Sequence, residues 1–148
     1  MYCFYIIKLI VSGSKMKYTI NYQIRGNFLK VELSGEYPVE KFREISADMD
    51  RVIDENGIAN IMVDLRNFKG RFGVFNGLQE IENFREESKF LQFAIIDVPE
   101  HKSNNDFFEN ASFNRGYKLL FFYNEEDAEK WLGVDCNMDY EKVLIKEY

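Results

Sequence analysis

The sequence has 148 residues and a mass of 17.6 kDa, a size that suits one domain and buries a sizeable core without disulfide or metal staples. Hydrophobic residues make up 46% and charged residues 30%, which excludes a disordered or fibrous chain. A formal charge of −6 and a pI near 4.9 argue against holding a nucleic-acid backbone or an anionic bilayer by bulk charge.

The first fifteen residues carry an apolar run from Tyr2 to Val11, interrupted by Lys8. It falls short of the ~20 residues of a membrane span, and it lacks the basic leader and small-residue cleavage site of a signal peptide. Residues 1–15 are read as an extra strand or as an extension upstream of a start at Met16, and no stable membrane insertion is expected. Residues 18–24 and 28–33 alternate apolar and polar side chains around Arg25-Gly26-Asn27, which predicts a β-hairpin. After Pro38, apolar residues from Val39 through Phe42, Ile45 and Met49 to Ile53 fall three or four apart. That is the spacing of an amphipathic helix, closed near Gly57.

Residues 58–63 form a nearly unbroken apolar run ending in Asp64, as in a strand buried on both faces of a parallel sheet. A loop containing Gly70 and Gly73 leads to a second helix marked by Val74, Leu78, Ile81 and Phe84. Residues 90–98 predict another buried strand, stopped by Pro99. Residues 103–114 predict a short helix and residues 117–123 a further strand. Asn124 then caps a final helix whose first turn holds three acids at its positive end. Residues 142–148 predict an edge strand. The order ββαβαβαβα implies a single α/β domain over residues 16–134, with 135–148 an acidic tail or edge strand. Its sheet is mainly parallel with right-handed crossovers and one antiparallel hairpin strand.

Cys3 and Cys136 lie far apart, and with His101 as the single histidine they cannot build a Cys/His zinc site in one chain. No metal or cofactor is implied, and reduced thiols in a cytoplasmic protein are expected. Open α/β sheets collect ligands beyond the carboxyl ends of their strands, where this sequence delivers Asp64, Arg66, Arg71 and Asp97. Asp64 and Asp97 would serve as acid and base if they shared a cleft. The commoner arrangement has each cap a helix or pair with Arg66 or Arg71. The segment Lys69-Gly70-Arg71-Phe72-Gly73 sets two cations between glycines, an arrangement that suits a phosphate or carboxylate as well as a solvated loop tip. It is no P-loop.

His101 reads as a surface histidine, and Asp48, Asp50 and Asp54 as the solvent face of the first helix. Their spacing fails the calcium-loop template. Arg115, in the turn Asn114-Arg115-Gly116, is a candidate for partner docking. Residues 125–148 hold eight acids against three bases, a solvated face or an attraction for a basic partner. The aromatic residues of the last quarter, from Phe107 to Trp131, are mostly core. Any that line a groove would favour a hydrophobic ligand or a partner helix.

Three segments, VELSGEY (31–37), IMVDLRNFKG (61–70) and FFENASFNRGYKLLFFYNEEDAEKWL (107–132), resemble the STAS domain. This is the fold of sulfate-transporter tails and of bacterial anti-sigma-factor antagonists such as SpoIIAA, and the likeness covers about residues 18–132. In those antagonists a partner kinase phosphorylates a Ser or Thr at the start of the helix after the strand that here ends in Asp64. This sequence has no Ser or Thr between Ala47 and Glu87, and Asn76 is the nearest polar substitute. The charge switch that phosphorylation provides is therefore expected to be absent.

The resemblance implies a non-enzymatic regulatory module with a protein partner and no nucleic acid. Its candidate ligand- or partner-binding residues are Asp64, Arg66, Arg71, Asn76, Asp97 and Arg115. The first alternative is a carrier or sensor of a small hydrophobic or lipid-like ligand, since STAS-like proteins have a fold compared with that of lipid-binding domains. The second is a hydrolase-type enzyme using Asp64 and Asp97.

Overall fold

The computed structural model describes residues 6–10, 17–36 and 38–148. Cys3, Met16, Tyr37 and the rest of the N-terminal segment lie outside the described residues. In chain order the elements are β1 (Ile6–Ile10), β2 (Tyr18–Arg25), β3 (Phe28–Glu36), α1 (Phe42–Asn56), β4 (Asn60–Lys69) and α2 (Val74–Glu82). They continue with β5 (Gln92–Ile96), α3 (Lys102–Asn114), β6 (Lys118–Phe122), α4 (Glu125–Leu132) and β7 (Lys142–Glu147).

The alternation in β2 buries Tyr18, Ile20, Tyr22 and Ile24 on one face. β3 returns antiparallel through a two-residue loop, with Gly26 at φ 56°. A left-handed first loop residue suits the right-handed twist of the two strands. Beyond the hairpin, β3, β4, β5 and β6 run parallel, joined by helices. The seven strands are ordered β1-β7-β2-β3-β4-β5-β6. β7 is thus no edge strand: it lies between β1 and β2, parallel to the first and antiparallel to the second.

β4 also exceeds its apolar run. Past Asp64 it continues to Lys69 because the end of β3 keeps offering backbone partners, from Ser34 to Glu36, after a register shift at Glu32. β5 is shorter than expected, and Phe90 sits in a preceding 3-10 turn, 84% exposed rather than in the core.

The two faces of the sheet are covered unequally. Leu29, Val31, Ile61 and Val63 pack with Ile45, Val52 and Ile53 of α1, on the face that α2 and α3 also cover. Phe28, Met62, Ala94 and Ile96 pack with Ala128 and Leu132 of α4 on the other. Asn124 caps α4 by accepting a hydrogen bond from the Asp127 amide at 2.8 Å, and Gly133 ends it at φ 71°. α3 approaches β6 closely and α4 approaches β5, whereas α1 and α2 make no comparably close backbone approach to the sheet.

α2 leans on α3 through Gly77, where an added Cβ would run into the ring of Phe108. Replacing Gly77 by Ala is expected to overpack this contact and lower stability by about 1–3 kcal/mol, measured by urea denaturation.

Candidate functional site

A cavity of about 530 Å³ opens between α1, α2, α3 and strands β4–β6. The strand floor contributes Val63, Leu65, Phe93, Ile95 and Phe121, and the helices contribute Ile45, Met49, Ile81 and Phe108. Phe72, from the loop after β4, packs edge-on to Phe42 of α1 with ring centroids 4.6 Å apart, and both rings line the cavity. The size falls within the range of small-molecule pockets.

Asp97 borders this cavity with its side chain fully buried. It accepts hydrogen bonds from Arg71 Nη2 at 2.9 Å, Asn105 Nδ2 at 3.0 Å and the Val98 amide at 2.8 Å. Burial alone would raise the carboxyl, but these donors outweigh it and hold Asp97 below the ordinary carboxylate range. Arg71 is equally committed. Its guanidinium also donates to the carbonyls of Leu65, Phe68 and Gly70 at 2.6–2.7 Å, and Nε reaches Asp97 at 3.4 Å. All five of its N–H donors are engaged, so it offers nothing to a bound anion. The anion-cradle reading of loop 69–73 is corrected accordingly: Arg71 ties the loop down.

Asp64 and Asp97 share no cleft. Asp64 is in register with Ile96, and register partners in adjacent parallel strands point the same way. Asp97, one residue later, therefore points to the opposite face, which removes the basis for an acid–base pair. Asp64 faces α4 and accepts three bonds from Arg66 at 2.8–3.0 Å, through the amide, Nε and Nη2. Lys30, only 11% exposed, sits beside them and pairs with Glu125 at 2.8 Å and Glu32 at 3.0 Å.

Glu125, Glu129 and Cys136 bring ligand atoms within 4.8 Å of one another on this face. The Lys30 ammonium already neutralises Glu125, and burial pushes the Cys136 thiol up to about 12. That donor set does not suit a cation.

The remaining candidates are dispersed. Asn76 is exposed in the first turn of α2, and Arg115 binds the Ala111 carbonyl and Glu82, joining the end of α3 to α2. His101 is no simple surface residue: it is half-buried and lines the cavity. Of the three acids of α1 only Asp54 is exposed as expected. Asp48 accepts from the buried Tyr22 hydroxyl at 2.9 Å and pairs with Lys146, while Asp50 lines the cavity and pairs with Arg85 at 3.3 Å.

Of the C-terminal aromatics, Phe108 and Phe121 reach the cavity, whereas Phe113 is 77% exposed. The sequence reading missed Phe72, Phe84, Phe93 and Ser112. Phe93 and Ser112 had only the patterns of β5 and α3 as signals, while Phe72 lies in the loop before α2 and Phe84 just past its end, where spacing carries none.

The sequence matches no family model and no curated protein. Among solved structures, the chain is similar to an uncharacterised protein of the DUF3478 family with a SpoIIAA-like fold from Shewanella loihica PV-4. The TM-score is 0.53 at 17% identity, over 82% of this chain and 98% of that one. It is also similar to an anti-sigma factor antagonist from Mycobacterium paratuberculosis, with a TM-score of 0.51 at 14% identity, over 78% and 94% of the two chains. The likeness is one of fold: the chain has a SpoIIAA-like, STAS-type fold.

The depressed Asp97 carboxyl stabilises the folded state above the ordinary carboxylate pKa of about 4, and that contribution disappears as pH falls through its folded value. Replacing Asp97 by Asn is expected to cost about 3 kcal/mol at pH 7 by leaving Arg71 short of its counter-charge. The gap between wild type and D97N should narrow on acidification below about pH 4, followed by urea denaturation at each pH.

Proposed function

We propose that this SpoIIAA-like domain binds a small apolar molecule between its sheet and helices α1–α3, and acts as its carrier or sensor. The observation that supports this reading is the cavity itself. The cavity is partly open to solvent, so a small molecule can enter it, and its mainly apolar wall favours a ligand with an apolar body.

A second reading, a protein-interaction module, draws on the start of α2. Phe75 is 71% exposed and Val74 41% exposed there, beside Asn76. Exposed apolar residues next to one another favour a protein contact, and with no phosphate acceptor in this segment the contact would be constitutive. Under this reading Phe75→Ser removes a cross-linked complex from native lysate and leaves ligand binding unchanged.

The first reading is tested with the neutral fluorophore N-phenyl-1-naphthylamine. Saturable binding at micromolar concentration is expected, with a blue-shifted emission. Ile95→Phe, which fills the floor of the cavity, should weaken that binding at least about tenfold while the protein stays folded. No saturable binding, or equal binding by the variant, would overturn the proposal.

A further inference from the structure

The exposure of the lining residues marks where the cavity meets solvent. Most of its wall is buried or half-buried, whereas Arg43 and Ala47 of α1 and Asn83, just past the end of α2, line the cavity and are exposed. Arg43 and Ala47 are four residues apart and so share one face of α1. A residue that both lines a cavity and meets solvent stands at its rim. Asn104, in the first turn of α3, is the other exposed lining residue among the described residues, and it lies on a different element.

The seam between α1 and the α2 segment is clasped at two places. At the start of α1, Phe42 packs on Phe72, and Arg43 reaches Glu80 at 3.6 Å. Farther along, Arg85 bridges back to α1, pairing with Asp50 at 3.3 Å and with both oxygens of Asp54 at 2.7 and 3.1 Å. Between these clasps α1 presents Ser46 and Ala47 to the cavity. From Arg43 to Asp50 a helix advances about 10 Å, enough for an aromatic ring or an alkyl chain to pass edge-on. Alanine is the smallest side chain a helix carries at no loss of propensity, so at position 47 the rim is as low as a helix allows.

From this arrangement we infer that ligands enter and leave the cavity through a portal between α1 and the α2 segment, and that Ala47 sets its width. The inference rests on the ligand-binding reading above and adds the route. A side chain at a portal obstructs entry and exit alike, because both follow one path. It therefore changes the two rate constants together and leaves Kd nearly unchanged. A side chain of the inner wall acts otherwise, changing affinity mostly through koff.

The test is stopped-flow fluorescence of N-phenyl-1-naphthylamine with the full chain, on mixing and on dilution. Ala47→Trp and Ala47→Arg are each expected to slow association and dissociation at least about fivefold, with Kd within about threefold of wild type. Substitutions at an exposed helical position cost little stability, and urea denaturation verifies the fold of both variants. Asn104→Trp, on α3, is expected to leave both rates unchanged.

Unchanged rates in the two Ala47 variants would overturn the portal. So would a loss of affinity carried by dissociation alone, which makes Ala47 a wall contact. Slowing by Asn104→Trp in their place would also overturn it and put the route beside α3. If the fluorophore itself fails to bind wild type, the cavity-binding reading falls first, and this inference falls with it.

Discussion

One guanidinium holds the middle of this fold in place. Arg71 gathers three backbone carbonyls from its own loop and from the end of β4, and anchors them to the buried carboxylate at the end of β5. Leu65 and Phe68 lie on β4 beyond its last pairing with β5, which ends at Asp64. Asp97 in turn is fixed by Asn105 of α3, so the same cluster links β4, β5 and α3. α2 starts three residues after Arg71, from a loop whose course this network determines. The open space under α1 and α2 is therefore bounded by a rigid bracket.

The arginines around that space each face a carboxylate, Arg43 with Glu80, Arg71 with Asp97 and Arg85 with Asp50. Burying a lone charge is far more costly than burying a pair with good geometry. The outcome is a cavity with a mainly apolar surface, although several of its lining residues are ionic. The face under α4 follows the same rule with a different set, where Lys30 is held charged against burial by Glu125 and Glu32.

Much of the architecture was legible from spacing alone. The alternation of residues 18–24 and the three-and-four spacing of α1 report which side chains face a core, and that information is local. The capping of α4 was equally readable, because Asn124 and the acids after it act within one turn. What escaped was whatever depends on register between distant strands. Asp64 and Asp97 both follow apolar runs, yet a single residue of offset sends them to opposite faces. The cavity escaped for a related reason. Phe93 and Ser112 look like ordinary core residues in sequence and Phe72 like part of a loop, and only the folded arrangement sets them around one space. Asp48 misled because a helix face can meet a buried lysine from another element, here Lys146.

The position of β7 bears on how the protein is made. β2 must pair with β7 on one side, and the two segments are separated by nearly the whole sequence. On a ribosome, the hairpin and the βα units that follow it emerge while that side of β2 is still bare, an open row of amides and carbonyls available to any extended chain. Closing it requires a long-range search, so the sheet completes late and slowly compared with its locally connected half. Until β7 is made, β2 therefore presents an unpaired strand edge on that side.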